Sequence, residues 1–436
     1  MQRFSIAGAL VCASLAVAAS PSYAAEPTTG STNPVIQWNK TLLTLLRTPG
    51  AQAPTIHSTR SYALLHAAIY DAVNSIDGSY HAYRVHIEHV SPHASQDAAA
   101  AEAAHDVLVA LYPAFQSTLD GQLDQSLEQV PDGPDKAEGI SVGRAVAGAV
   151  IALRSNDGSG ATPIPFVFDN VAGHYQSTPP NFPAQPVLTH WPQVRPFVLH
   201  RADQFRPGPP PALTSREYSE VFNEVAAVGI ANSTAATPDQ ALTGKFWNGA
   251  IQNYWNEIAQ AAAQSTHLTT AQSARLFALL DLTFADSAIA FYDAKYTYKF
   301  WRPITAIRAA GTDGNPQTAA DPGWLPAAGN TPADPSYPGA HAVISAAGAS
   351  VLRAFFHRNL FHLTVTSEVL PGVQRTFDSF AAAEQEASLS RIFAGVHFRS
   401  DEKTGEQLGR SVAEFVLEHA LTPLRDRDDG REEDGH

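Results

Sequence analysis

Apolar residues recur at helical spacing through most of this chain, and that periodicity constrains its fold more than any other feature. In the segment 59–76, apolar residues three and four positions apart would form one stripe on a helix. The stripe consists of Leu64, Leu65, Ala68, Ile69, Ala72 and Val73. Helices are predicted at 35–46, 59–76, 95–115, 119–130, 136–154, 215–228, 238–264, 270–300, 341–356, 377–394 and 401–420. Because no run of alternating strands accompanies them, the sequence predicts an all-α fold.

The ends of some helices can also be predicted. Thr270 is expected to be the N-cap of the helix over 270–300, and Pro303 is expected to stop it. Residues 311–339 are rich in Gly and Pro and predict a loop, whereas 365–370 predict a short strand or an extended turn.

A proline-rich stretch over 162–213 divides the chain into two helical parts. Because this stretch contains Trp191, Phe197 and other aromatic residues, we expect a long ordered loop rather than a disordered linker. It gives an N-terminal helical region, 25–214, and a C-terminal helical region, 215–424, followed by a charged tail at 425–436. Two interpretations stay open, since the loop either separates two domains or packs on both halves.

The first residues have the pattern of a secretory signal peptide. Arg3 precedes an apolar run over 6–19, and Ser22-Tyr23-Ala24 has small residues at its first and third positions, so cleavage is expected after Ala24. The run is too short to span a membrane, and no later stretch approaches about 18 uninterrupted apolar residues. We therefore expect removal of residues 1–24 and an exported protein, periplasmic or extracellular, without a membrane span.

Removal of this peptide changes the charge and the sulfur content. The formal net charge moves from −14 to −15 because Arg3 is lost, and this acidity argues against nucleic acid or an anionic membrane as a partner. The only cysteine, Cys12, and the only methionine, Met1, are lost too, which excludes disulfides and thiolate metal sites. Either compositional bias or tolerance of a strong oxidant explains the missing sulfur.

Three motifs carry candidate chemistry, and the first runs from Lys295 to Pro303. Lys295 and Arg302 are seven residues apart, nearly two helical turns, so we expect both to project from one side of a single element. Pro303 disfavours helix at Arg302 and lets its guanidinium turn inwards. The two cations repel each other unless an anion lies between them. The alternative is a solvated basic face.

The second motif is Pro335-Ser-Tyr-Pro-Gly-Ala-His341, which leads into an apolar helix. A Pro/Gly turn before a helix leaves free backbone N–H groups at Gly339 and Ala340, and these favour an anion together with the helix dipole. His341 would lie at the edge of that anion. The alternative makes it a cap or a surface histidine.

The third motif, Ser390 to Asp401, contains Arg391 and His397. Gly395 supplies the bend that these two residues need to converge. Asp401 can accept a hydrogen bond from one imidazole nitrogen of His397, which leaves the other nitrogen free as a nucleophile or ligand. Asp401 is also a candidate N-cap of the last helix, and the two roles are compatible.

Taken in order, the motifs Lys-x6-Arg-Pro, Tyr-Pro-x-x-His and Ser-Arg-x5-His-x3-Asp resemble those of the vanadium-dependent haloperoxidases, which belong to the type 2 phosphatidic acid phosphatase superfamily. The match covers 281–409, and the segments 59–76 and 175–218 resemble bacterial haloperoxidase-like proteins less sharply. The resemblance implies a multi-helix bundle of that kind, with the anion site in its C-terminal region.

The resemblance also implies a cofactor, vanadate, with phosphate possible in its place. Lys295, Arg302 and Arg391 would neutralise its equatorial oxygens, alongside the backbone of Gly339 and Ala340. In the reaction that the resemblance implies, vanadium acts as a Lewis acid and activates hydrogen peroxide, halide attacks an oxygen, and hypohalous acid then halogenates a small organic acceptor.

The two histidines would have different roles in that reaction. His397 would be the axial ligand of vanadium, oriented by Asp401, and His341 would be the acid–base group. The same pocket would also suit a secreted acid phosphatase, with His397 forming a phosphohistidine. A third possibility is an exported binding protein with weakened catalysis. Oligomeric state is not indicated.

Three residues depart from the family pattern. Gly339-Ala340 replaces the usual Ser-Gly, so a hydroxyl donor worth roughly 1.5 to 3 kcal/mol is lost. Asp334 stands where fungal chloroperoxidases have phenylalanine and algal bromoperoxidases histidine, and Tyr292 replaces the chloroperoxidase tryptophan. Because a carboxylate near the halide path repels the anion, we expect bromide or iodide rather than chloride as the substrate.

Overall fold

The computed structural model describes residues 33–424, which are mostly α-helical, as the sequence predicts. The predicted signal peptide, residues 25–32 and the charged tail lie outside the described residues. The first helices are α1 (Pro34–Arg47), α2 (Thr59–Asp77), α3 (Gln96–Leu111), α4 (Gln116–Glu128) and α5 (Pro134–Arg154). They are followed by α6 (Arg216–Val228), α7 (Pro238–Phe246), α8 (Ile251–Ser265), α9 (Thr270–Tyr298), α10 (Pro303–Arg308), α11 (Ala340–Phe356), α12 (Phe380–Phe393) and α13 (Arg399–His419).

Helix α9 lies at the centre of the main apolar core. Every residue from Leu276 to Lys295 is buried, as expected for a largely apolar helix at the centre of a core. It contacts α2 and α3 on one side and α11 and α13 on another, so it joins helices from both halves of the chain. A cation at its C-terminal end, Lys295, is therefore placed deep in the protein.

The ends of α9 correct two sequence predictions. The N-cap is Thr269 rather than Thr270, because Gln272 at the third helical position completes a capping box with Thr269. The helix ends at Tyr298, since Lys299 adopts a left-handed conformation with φ 49°. Pro303 does not stop α9; it is the first residue of α10, where its missing N–H is not needed.

The helix predicted over 238–264 is wrong, because the chain breaks between α7 and α8. The break is held by Glu368, whose carboxylate accepts a hydrogen bond from the Ala250 N–H at 2.8 Å. A Cβ atom on Gly249 would lie 2.5 Å from the same carboxylate, so the close approach requires glycine. The break exposes the carbonyl group of Trp247 and the side chain of Asn248 to other elements.

A two-stranded antiparallel sheet corrects the all-α prediction in detail. β1 (Leu360–Thr366) pairs with β2 (Gln374–Ser379), with Thr364 opposite Thr376. The predicted extended segment 365–370 overlaps only the end of β1, and the helix predicted from 377 begins at Phe380. The two strands together contain only a few inward-facing apolar residues among those described, so an alternating apolar pattern in the sequence does not reveal them.

The segment between α5 and α6 contains the 3-10 turn Trp191–Gln193 and otherwise irregular backbone. Part of it is held by Asp286 of α9, which is fully buried and accepts hydrogen bonds from the N–H groups of Phe197, Val198 and Leu199 at 2.6 to 2.7 Å. Of the helices between residues 33 and 424, none combines the length and apolar composition that crossing a membrane requires.

Candidate oxyanion site

Lys295 and Arg302 lie on different elements, so the prediction of one shared helical element is wrong. Lys295 is in the last turn of α9, and Arg302 precedes α10 in extended conformation with ψ 155°. The chain turns between them at Lys299, and the apolar neighbours Phe300 and Trp301 are buried in a second core cluster. Both cationic groups nevertheless reach the same place, as the motif predicts.

Asp334 is the anion that lies between these two cations. Lys295 Nζ is 3.5 Å from Asp334 Oδ2 and donates to the backbone carbonyl of Ser336 at 3.1 Å. Arg302 donates from Nε to the Asp334 carbonyl at 2.8 Å and from Nη2 to the Asp334 carboxylate. Burial lowers the pKa of Lys295 to about 8, although Asp334 opposes this shift. The two cations therefore already share one negative charge.

His397 links Arg302 to the third motif. Its Nε2 lies 3.0 Å from Arg302 Nη1, and its Nδ1 lies 3.2 Å from Asp401 Oδ2. With the Nδ1 proton donated to Asp401, the Nε2 nitrogen carries the lone pair. Burial, followed by the charges of Arg302 and Lys295, lowers the pKa of His397 well below its ordinary value. The imidazole is therefore neutral at neutral pH.

Asp401 is not the N-cap of the last helix. It occupies the third position of α13, where its Oδ2 accepts hydrogen bonds from Phe398 N–H at 3.0 Å and from Ser336 Oγ at 2.6 Å. Burial raises the pKa of Asp401 to about 6 despite these two bonds. The carboxylate thus orients His397 and is itself held by two donors.

Arg391 reaches the same pocket from the end of α12. The left-handed turn at Gly395 (φ 76°) supplies the predicted bend, and a Cβ atom there would overlap the Gly229 carbonyl. Arg391 Nη1 donates to Asn248 Oδ1 at 2.9 Å, whereas its buried Nε has no hydrogen-bond partner within residues 33–424. Burial lowers the pKa of Arg391 to about 10. One cationic donor is thus available for a ligand.

Asn248 belongs to none of the three sequence motifs. The residue lies in the break between α7 and α8, where a continuous helix was predicted. At this break, Glu368 from a distant part of the chain accepts the hydrogen bond of the Ala250 N–H.

The turn before α11 has fewer free backbone N–H groups than predicted. The N–H of Gly339 donates to the Asp401 carbonyl at 3.0 Å, so the prediction that this group is free is wrong. Ala340 begins the helix, and its N–H is one of those that the helix's own ladder leaves unused.

His341 Nε2 lies 3.0 Å from the Trp247 carbonyl, which makes Nδ1 the accepting nitrogen. Burial, followed by the charge of Arg391, lowers the pKa of His341 well below its ordinary value.

Glu402 is a site residue that the sequence analysis missed. Its side chain is buried, and neither carboxyl oxygen has a hydrogen-bond partner in the described chain. Oε1 lies 3.7 Å from His397 Nδ1. Burial and the adjacent Asp401 raise the pKa of Glu402 well above its ordinary value. In the sequence, a glutamate in the first turn of a helix is expected simply to complement the helix dipole.

The charges of these side chains fit an oxyanion. Three buried cations, Lys295, Arg302 and Arg391, face the carboxylates of Asp334 and Asp401, which leaves one positive charge (3 − 2) when Glu402 is neutral. Arg391 Nε is a buried donor without a partner in the part of the chain that the structure describes, and buried donors are rarely left unpaired. A tetrahedral monoanion of vanadate or phosphate supplies both the charge and the acceptor.

Comparisons with known proteins point to one enzyme family. A family model, the VCPO second helical-bundle domain, matches residues 275–426, which include all three motifs. Vanadium chloroperoxidase of Curvularia inaequalis is 28% identical over 495 aligned residues, covering 86% of this chain and 80% of that protein.

Two solved structures are similar over most of the chain. The first bacterial vanadium-dependent iodoperoxidase has a TM-score of 0.75 and 26% identity, covering 90% of this chain and 96% of that one. A holo-type bacterial vanadium-dependent chloroperoxidase has a TM-score of 0.66 and 15% identity, covering 89% and 97%, and at that identity it shows the fold alone.

Proposed function

Because the chain belongs to the vanadium-dependent haloperoxidase family, we propose that it binds vanadate in the buried cationic pocket and uses hydrogen peroxide to oxidise bromide or iodide. The observation that carries this proposal is the buried Nε of Arg391, which has no partner among the described residues and lies near Lys295, Arg302 and the lone-pair nitrogen of His397. The N-terminal sequence pattern supports export of the enzyme.

Arg391, Lys295 and Arg302 would hold the oxygens of the anion. Arg391 Nε offers an unused donor, while Lys295 and Arg302 would divide their hydrogen bonds between the anion and Asp334. Charge-assisted hydrogen bonds of this kind are about twice as strong as neutral ones. The Ala340 N–H at the start of α11 adds a backbone donor.

His397 is suited to be the ligand of vanadium through Nε2. Asp401 accepts a hydrogen bond from the Nδ1–H of His397 and so fixes both the tautomer and the ring orientation. This arrangement is common among histidine ligands. Ser336 fixes Asp401 in turn. When bound, vanadate would supply the Lewis acid that activates hydrogen peroxide.

His341 is suited to accept and return a proton. Its Nε2 donates to the Trp247 carbonyl, and its lowered pKa keeps the ring neutral, so Nδ1 is available as a base at neutral pH. A neutral imidazole can take a proton from hydrogen peroxide as it enters and return it to the departing product oxygen.

Bromide and iodide are the proposed substrates because the Asp334 carboxylate disfavours every halide in the pocket, and chloride is the hardest of the three to oxidise. Its carboxylate is ionised, since Lys295 and Arg302 keep its pKa below the ordinary value although burial opposes them. Bromide and iodide give up electrons more easily than chloride, so they tolerate a weaker oxidant. The similarity to a bacterial iodoperoxidase supports this order.

Two other functions use the same geometry. His397 Nε2, oriented by Asp401, is equally a nucleophile for phosphorus, which supports an acid phosphatase with a phosphohistidine intermediate. The Gly339 N–H is engaged by Asp401, and position 339 has no hydroxyl group, which supports an exported binding protein with little turnover.

One pair of assays separates the three functions. The purified protein, with and without orthovanadate, is tested for bromide- and iodide-dependent halogenation of a phenol dye by hydrogen peroxide, and in parallel for hydrolysis of an aryl phosphate. We expect halogenation only with vanadate. Peroxidase activity that is independent of vanadate contradicts the proposal, aryl phosphate hydrolysis alone favours the phosphatase, and the absence of both activities favours the binding protein.

A further inference from the structure

We propose that Glu402 is a binding residue of the oxyanion site. Its carboxyl group takes the space of a side chain at position 339 and hydrogen-bonds directly to the bound anion. This inference rests on the proposed function, since it requires that vanadate or phosphate binds in the pocket. It assigns a role to a glutamate that none of the three motifs contains.

The first observation is the space next to Gly339. A Cβ atom on this residue would overlap Oε1 of Glu402 and lie 2.7 Å from its Cδ and 2.9 Å from its Oε2. The backbone does not need glycine here, because φ −72° and ψ 112° are open to any residue. The carboxyl group of Glu402 therefore occupies the space that a side chain at position 339 would take.

The second observation is that the backbone of Glu402 is held close to α11. α13 packs directly on α11 through two glycines: a Cβ atom on Gly405 would lie 2.6 Å from the Gly339 carbonyl, and one on Gly409 would overlap the Val343 carbonyl. The hydrogen bond from Gly339 N–H to the Asp401 carbonyl ties the same two helices together. Glu402 is thus fixed beside the start of α11.

The third observation is that Glu402 lacks partners. Both of its oxygens are buried without a hydrogen bond inside the described range, and so is Arg391 Nε, whose charge acts on Glu402. Leaving such groups unpaired is costly, and native proteins rarely do so. A protonated tetrahedral oxyanion can satisfy both residues, because its oxygens accept from Arg391 while one proton is shared with Glu402.

A double-mutant cycle tests the inference through binding rather than turnover. Gly339→Ser, Glu402→Ala and the double variant are titrated with orthovanadate and with phosphate by calorimetry, and thermal unfolding checks that each variant is folded. Glu402→Ala should weaken binding by about tenfold or more, as expected for the loss of a hydrogen bond to a charged ligand. Gly339→Ser should weaken binding in the wild-type background and strengthen it in the Glu402→Ala background, where the hydroxyl group finds space.

Glu406→Ala is the matched control, one turn further along α13. Glu406 is half-buried and accepts hydrogen bonds from Ser388 and Arg410 rather than from groups of the site, so its removal should change anion affinity far less than the loss of Glu402 does. If Gly339→Ser has the same effect in both backgrounds, or if Glu402→Ala binds as the wild type does, the inference is wrong while the proposed function stands. A wild type that binds neither anion overturns the proposed function, and this inference with it.

Discussion

Two buried cationic clusters of this protein use the same kinds of residue but differ in how completely they are hydrogen-bonded. In the first cluster, all three guanidinium nitrogens of Arg154 have partners: Asp157 at 3.1 Å, the Pro196 carbonyl at 3.0 Å and the Arg195 carbonyl at 2.6 Å. Arg60 donates to the same Asp157 at 2.8 Å. This cluster is satisfied by the protein itself.

The second cluster is the oxyanion site, and it is not satisfied. Arg391 donates from Nη1 to Asn248, whereas within residues 33–424 its Nε and both carboxyl oxygens of Glu402 have no hydrogen-bond partner. Burial and charge therefore do not distinguish a ligand site from a structural cluster, because both clusters have them. The feature that distinguishes the ligand site is its unused hydrogen-bond donors and acceptors.

The largest expected effect is on turnover. His397→Ala should abolish vanadate-dependent peroxidase activity, because it removes the proposed metal ligand while Asp401 and Arg302 remain. The halogenation assay measures it, with His200→Ala as a control in an exposed loop. Unchanged turnover of His397→Ala would refute the role of His397 as the ligand.

The two clusters should respond oppositely to the loss of an arginine. Arg154→Ala should lower the free energy of unfolding by about 3 to 5 kcal/mol, since it leaves Asp157 buried with fewer partners. Arg391→Ala should cost clearly less stability but remove most of the affinity for vanadate and phosphate. Urea unfolding and calorimetric titration measure the two quantities. Equal losses of stability would contradict the distinction between the clusters.

Ligand should stabilise the protein only through the second cluster. At a phosphate concentration of 100 times the dissociation constant, the free energy of unfolding of the wild type should rise by about 2.7 kcal/mol. The same increment is expected in Arg154→Ala, measured at a temperature at which that variant is folded. Arg391→Ala should show no increment at that concentration, and an increment equal to that of the wild type would place the anion elsewhere.

The smallest expected effect concerns Asp334. Asp334→Asn should tighten phosphate and vanadate binding by about tenfold, because it removes one of the negative charges that Lys295 and Arg302 neutralise. Asp321→Asn, in an exposed part of the same loop, is the control. Weaker binding by Asp334→Asn would show that the carboxylate positions the cations rather than competing for them.

Many of the helices could be predicted from the sequence, and the three motifs recognised in it, because both depend on the spacing of residues close together in the chain. The helices over 59–76, 136–154 and 341–356 are present as α2, α5 and α11 with small shifts of their ends. The convergence of Lys295 and Arg302 was also predicted, although the reason was wrong: the turn at Lys299 brings the two together, not a shared helix.

What the sequence did not reveal depends on contacts between distant residues. Asn248 reaches Arg391 from a break between two helices, and that break is in contact with Glu368, more than a hundred residues later in the chain. Glu402 looks like an ordinary first-turn glutamate, and its burial follows from the packing of α13 on α11 through Gly405. Periodicity and motif spacing contain no information about either contact.

The most direct test of a ligand site in the second cluster is a crystal structure of the protein grown with orthovanadate, with data collected for the anomalous signal of vanadium. We predict one vanadium peak per chain within bonding distance of His397 Nε2, with an oxygen hydrogen-bonded to Arg391 Nε and another to Glu402. A pocket in which Arg302 still contacts His397 and which shows no anomalous peak at saturating orthovanadate would contradict the account.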